Sequence, residues 1–154
     1  MIQTKEFWRK VLALAIVGGL GFWVANLAIS LTPIAAEYRA ALSISYFPML
    51  LAALLGGLII GFCVSYFLLH FSDKIPTKNP IVKSVILSFI VLIIDTILIG
   101  GPSSFFAKGD VLRYFLIGTI FNVLRFLALG IGIGLLYDKL NNRDVGNQTI
   151  QCEL

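Results

Sequence analysis

Ser84 to Gly100 reads SVILSFIVLIIDTILIG, and Tyr114 to Tyr137 reads YFLIGTIFNVLRFLALGIGIGLLY. Each is a long apolar run broken by one charged side chain, Asp95 in the first and Arg125 in the second. At about 1.5 Å per residue, some 20 helical residues cross a hydrocarbon core of about 30 Å. In water the isoleucine, leucine and valine of the first run would suggest strands. Lipid offers backbone N–H and C=O groups no partner, so a helix is the better reading there.

Two further runs lie upstream. Val11–Leu31 carries no charge, and Tyr46–Phe71 carries only His70, at its end. The first is too long for a signal-peptide core and no small-x-small cleavage site follows it, so it reads as an uncleaved span. The fold class expected is therefore all-α: a polytopic membrane protein built as a four-transmembrane-helix bundle. Its spans run about 11–31, 46–71, 81–101 and 113–137. Residues 1–140 make one domain, and 141–154 a polar, flexible cytoplasmic tail. Composition agrees: 58% of the 154 residues are hydrophobic, 13% are charged and the mean hydropathy is +0.94. Soluble domains carry about a quarter charged residues.

The connections read as follows. Thr32-Pro33 has the pattern of an N-cap with proline at N1, so a short helix on the membrane surface is expected over 34–42. Glu37 and Arg39, two apart, do not face each other on a helix and read as a solvated face. Residues 72–83 combine Asp73, Lys74, Pro76, Lys78, Asn79 and Pro80, a water-side connection. Residues 101–112 form the last connection, with Phe105 and Phe106 at the interface.

Lys and Arg flank the spans asymmetrically. Lys5, Arg9, Lys10, Lys74, Lys78, Lys83, Lys139 and Arg143 fall on one side; Arg39, Lys108 and Arg113 fall on the other. The positive-inside bias places both termini in the cytoplasm. Short loops and no targeting extension point to a prokaryotic plasma membrane. The net charge of +4 is explained by these flanks, so the partner expected is the lipid bilayer and not nucleic acid. The two cysteines, Cys63 and Cys152, are not expected to meet, and no Cys/His cluster suggests a metal. No cofactor is expected.

Small residues mark the packing faces. Gly19, with Ala15, makes a four-residue step on the first span. Ala53, Gly57, Gly61 and Ser65 form a ridge on the second, and Gly130 and Gly134 lie on the fourth. Such ridges let helices approach closely, within one chain or in a homo-oligomer or larger membrane complex. Asn26 reads as an interhelical hydrogen bond. His70, at the membrane interface, reads as a hydrogen-bonding residue ahead of a proton relay, and one histidine cannot supply a haem pair.

The charged residues return last. Lys83 to Asp95 and Arg125 to Tyr137 are both twelve residues, placing both charges about 18 Å from one boundary. Ser84, Ser88 and Asp95 share a face, and Asn122 lies three residues before Arg125. The intramembrane polar site expected is Asp95, Asn122 and Arg125, with Asp95 and Arg125 paired. One reading is architectural, a buried pair that fixes how two spans dock. The other is functional, a proton, cation or anion site. With no nucleophile–base pair, metal ligands or paired carboxylates visible, an enzyme is not expected. The two functions that follow are a structural, assembly or regulatory membrane subunit, and a protomer of an oligomeric ion, proton or small-solute channel or transporter.

Overall fold

The computed structural model describes residues 2–71, 77, 79–100 and 110–152, with side chains described for 5–71, 77, 79–98 and 110–141. Helix α1 spans Ile2–Ser30, α2 Pro33–Ala41, α3 Tyr46–Phe71, α4 Pro80–Asp95 and α5 Val111–Cys152. Four stretches are long and apolar enough to cross a membrane: Lys5–Ser30, Tyr46–Phe71, Pro80–Leu98 and Val111–Asn141. They make the four-transmembrane-helix bundle expected. The connections at 72–76, 78 and 101–109 lie outside the described residues.

The starts of the helices are written in side chains. Thr32 Oγ1 accepts from the Ala35 amide at 3.3 Å, with Pro33 at the first helical position. Asn79 Oδ1 accepts from the Ile81 amide at 3.0 Å ahead of Pro80, and Asp110 Oδ1 from the Arg113 amide at 3.3 Å. Each cap satisfies an N–H that the first helical turn leaves open. Between α2 and α3, Ile44 N donates to Arg39 O and Ser43 N to Ala40 O, with Ser43 at φ 55°. This left-handed residue closes α2 and turns the chain straight into α3.

The spans alternate in direction. The starts of α1 and α4 and the ends of α3 and α5 lie at one end of the bundle, here the terminal end; α2, the starts of α3 and α5 and the end of α4 lie at the other, the distal end. α1 packs against α3 on one side and α5 on the other, and α4 closes the ring against α5 and more lightly against α3. The core where they meet comprises Leu14, Phe22, Val64, Leu68, Leu92, Phe126, Leu129 and Ile133.

Lipid is as apolar as these side chains, so burial alone does not drive the helices together; close van der Waals approach does. Glycine makes that approach here. A Cβ on Gly61 would stand 2.8 Å from the Ala15 carbonyl oxygen, and one on Gly57 3.1 Å from that of Gly19. A Cβ on Gly19 would stand 3.0 Å from the Leu58 backbone. On the α4–α5 seam, Gly134 would meet Ile81 Cα at 2.6 Å, and Gly130 would meet Ser88 Oγ at 2.9 Å. The expected ridges are thus used within one chain. Ala53 is half-buried against the same core. Gly56, by contrast, has nothing within 4 Å of its Cβ position.

The structure adds to the sequence reading in three places. The third span is α-helical only to Asp95; Thr96–Gly100 winds into a π-turn. The stretch read as a tail continues α5 in helical form to Cys152. His70 stacks on Tyr66, centroids 5.9 Å apart and planes 7° apart, beside Trp8 at the terminal end. Cys63 is a free, exposed thiol on α3.

Replacing Gly134 by alanine forces a methyl group against Ile81 backbone and is expected to destabilise the bundle by about 1–3 kcal/mol. Gly56→Ala adds the same methyl group in open space and is expected to be neutral or slightly stabilising. Thermal unfolding of the two variants in one detergent checks the contrast.

Candidate functional site

The distal half of the bundle holds the charged and amide side chains of the membrane interior. α5 presents Gly118, Asn122 and Arg125 on successive turns. Helical side chains lean toward the N-terminus of their helix, which for α5 is the distal end. Arg125 accordingly reaches back, and its Nη1 donates to Asn122 Oδ1 at 3.1 Å. Arg125 Nε is buried without a hydrogen-bond partner among the described residues.

Asp95 lies at the last α-helical turn of α4, half-buried, beyond the buried Ser84, Ser88 and Leu92. Ser88 Oγ donates to Ser84 O at 2.9 Å and stands against Gly130, while Ser84 Oγ is buried without a hydrogen-bond partner among the described residues. Asp95 is within electrostatic reach of Arg125. Among the described residues, however, the ion pair within 4 Å joins Glu37 Oε1 to Arg113 Nη2, at 2.9 Å, and not Asp95 to Arg125. The expected pair is therefore an attraction across a gap. Arg125 spends its direct hydrogen bond on Asn122, its neighbour on the same helix.

Two residues join that the spacing did not bring in. Tyr38, on α2, folds inward over α5. Its hydroxyl lies 2.7 Å from where a Gly118 Cβ would be, and its ring lies against Phe121 and Tyr114, centroids 5.8 and 6.3 Å away. Only a glycine at 118 admits the phenol there. Burial pushes the Tyr38 hydroxyl above its ordinary value of 10.0, and the positive charge of Arg125 works against that rise. α2 is held in place by its neighbours. Glu37 bonds Arg113 across to α5; Arg39 Nη1 donates to Ser30 O at 3.1 Å and its guanidinium covers the Tyr46 ring. The expected solvated face is thus half-exposed and tied down. Its Glu37–Arg113 bridge, exposed on both sides, is worth under about 1 kcal/mol.

Asn26 is the second addition. It is 1% exposed, and neither its amide oxygen nor its amide nitrogen has a partner among the described residues. The expected interhelical hydrogen bond is not made. The register explains where it sits. Phe22 meets Phe126 edge to face, centroids 5.6 Å apart. One turn further toward the distal end on each antiparallel helix brings Asn26 level with Asn122. Gly21 lies against the Ala128 carbonyl and Gly132 against Val17, so Arg125, a turn on from Ala128, reaches the same level on the α1 side. A heptad-like count along α1 (Val11, Leu14, Gly18, Phe22, Asn26) would have marked Asn26 as inward-facing.

The arrangement is a charged guanidinium, two amides, a phenol and a more distant carboxylate under a short helical cap. It can bind and orient small polar groups. Among the described residues no three His, Cys, Asp or Glu side chains gather where they could hold a metal.

Because Asp95 and Arg125 are not in direct contact, the double-mutant cycle of Asp95→Asn and Arg125→Gln is expected to give a coupling under about 1 kcal/mol. Arg125→Gln should be the costlier single change, since it also strips Asn122 of its partner. Equilibrium unfolding in mixed micelles measures both. The raised Tyr38 hydroxyl contributes stability that is present below pH 10 and lost as pH rises through its folded-state value, because the unfolded phenol ionises first. A stability profile from pH 8 to 11 should therefore fall less steeply in Tyr38→Phe than in the parent chain. No family model, curated protein or solved structure matches this chain.

Proposed function

We propose that this small multi-pass membrane protein is a structural, assembly or regulatory subunit of a membrane, acting by packing and binding and not by conduction or catalysis. One observation supports this. Beneath the polar cluster the four helices close on an apolar plug. Phe22 and Phe126 meet directly below Asn26 and Asn122, and Leu14, Val64, Leu68, Leu129 and Ile133 continue the seal toward the terminal end, each without exposed surface. The hollows at that end, about 400 Å³ beside Arg9 and Lys10 and about 140 Å³ beside Tyr137, lie on the far side of it. A polar cluster sealed off from the terminal end supports a packing or recognition role over conduction.

The same reading takes the membrane to be a prokaryotic plasma membrane, and the distribution of Lys and Arg supports both termini being cytoplasmic. Its partners are the bilayer and a second membrane chain or copy. A channel or transporter protomer is the competing reading, favoured by the charges of Asp95 and Arg125 at the bundle's distal end. It would need a path between copies of the chain, since the plug blocks one within it.

Reconstituted in liposomes, the protein is expected to show proton, potassium and chloride fluxes no greater than protein-free vesicles. Flux that rises with protein density and disappears in Arg125→Gln would overturn the subunit reading in favour of the protomer. Cross-linking in native membranes then distinguishes a homo-oligomer from a heteromeric complex.

A further inference from the structure

We propose that the hollow between the start of α1 and the end of the α5 span binds one anionic phospholipid. The lipid is a singly charged phosphodiester whose headgroup carries hydroxyls, of the phosphatidylglycerol type. The site stands apart from the Asn122–Arg125 cluster and does not depend on whether the chain acts as a subunit or as a protomer.

The hollow holds about 400 Å³ and is lined by Glu6, Arg9, Lys10, Leu12, Ala13 and Leu140. Small-ligand sites commonly hold about 300–1,000 Å³. The α1–α5 seam accounts for the space. Further into the bundle the two helices touch closely, with Gly21 on the Ala128 carbonyl and Gly132 against Val17. Toward the terminal end Lys10 and Leu140 take over from these small residues, and the seam opens. A second hollow, of about 140 Å³, shares Lys10 and Leu140.

The level is that of lipid headgroups. Glu6, Arg9 and Lys10 lie in the first two turns of the span Lys5–Ser30, and Leu140 lies next to the last residue of Val111–Asn141. Trp8, in the same turns of α1, stacks on Phe62 and Tyr66, and such aromatic girdles sit at the membrane–water boundary. The lining also changes as a phospholipid does, from charged at Glu6, Arg9 and Lys10 to apolar at Leu12 and Ala13. Leu12 begins an exposed ridge at four-residue steps down α1, Leu12, Ile16, Leu20 and Val24. A headgroup in the hollow therefore has an apolar track for an acyl chain, which a free anion would leave unused.

Charge selects the headgroup. Arg9 and Lys10 are two cations against one carboxylate, Glu6, which leaves one positive charge for one phosphodiester. Basic pockets between spans draw anionic lipids in this way. Glu6 repels a second negative charge, so the phosphomonoester of phosphatidic acid fits less well. As an acceptor, the Glu6 carboxylate takes the hydroxyls of a glycerol headgroup. An ethanolamine headgroup would pair its ammonium with Glu6 and leave one cation uncompensated.

The test mixes the full chain, in a neutral detergent, with equimolar phosphatidylglycerol, phosphatidylethanolamine and phosphatidylcholine of one chain composition. Native mass spectrometry reads the lipid retained. One phosphatidylglycerol per chain is expected, at least fivefold over either other lipid. Arg9→Gln should cut that preference below twofold and Arg9→Lys should restore most of it. Arg9 is exposed, so both variants are expected to keep the parent helix content by circular dichroism. Lys139→Gln removes the same charge from an exposed residue of α5 that does not line the hollow, and should leave the preference unchanged. Glu6→Gln should raise retention of phosphatidic acid relative to phosphatidylglycerol. In the wild-type chain, phosphatidylglycerol with a photoactivatable group beside its glycerol should label residues 9–20 of α1 and 132–140 of α5. Equal retention of the three lipids, equal losses in Arg9→Gln and Lys139→Gln, or label spread evenly over all four spans would each overturn the proposal. So would displacement of the lipid by equimolar sn-glycerol 3-phosphate, which would make the hollow a site for free phosphate.

Discussion

Everything in this bundle rests on how closely α1 can approach its two neighbours. In hydrocarbon there is no water to expel between helices, so association depends on contact area and on the polar groups that find each other. Backbone meets backbone where Gly61 lies on the Ala15 carbonyl, where Gly57 faces Gly19, and where Gly21 lies on the Ala128 carbonyl. These contacts draw α3 and α5 onto opposite sides of α1. Phe22 then fills the space between, touching Gly57 on one helix and Phe126 on the other. The α4–α5 seam repeats the device with Gly130 and Gly134 against Val85, Ser88 and Ile81.

That tight middle explains why the polar groups collect where they do. From Phe22 toward the terminal end the buried side chains are aliphatic apart from Ser65, Ser84 and Ser88. Toward the distal end α2 replaces lipid and loop as the cover, and brings a phenol with it. Asn26, Asn122, Arg125 and Asp95 occupy the turns between the aromatic floor and that cover. The two ends therefore differ in kind. The terminal end is an aromatic collar, with Trp8 stacked on Phe62 and Tyr66, and Tyr66 on His70. The distal end is a polar cluster capped by α2.

The four spans were legible because length and hydropathy are one-dimensional properties. α3 begins at Tyr46 and ends at Phe71 as read, and Thr32-Pro33 starts α2 as its cap pattern says. Asn79-Pro80 carries the same signal, a side-chain acceptor followed by proline, and it sets the start of α4. The polar site was legible in depth and not in direction. Counting residues put Asp95 and Arg125 at one level, but the tilt of helical side chains sends Arg125 toward Asn122 on its own helix. Tyr38 was unreadable as a member because its place depends on α2 folding back, a tertiary event that no period in Pro33–Ala41 encodes. Nor does a side chain's spacing reveal what is missing: that Asn26 bonds nothing around it emerges only when every neighbour is in position.

α5 runs unbroken for 42 residues, about 63 Å, from its cap at Asp110 to Cys152. It lines the polar cluster and runs past the terminal ends of α3 and α4. Such a rod is a lever. A tilt of about five degrees about the Arg125 turn would displace Cys152, roughly 40 Å further along, by roughly 3.5 Å. A shift that tilted the whole of α5 at Arg125 would therefore be felt at its far end.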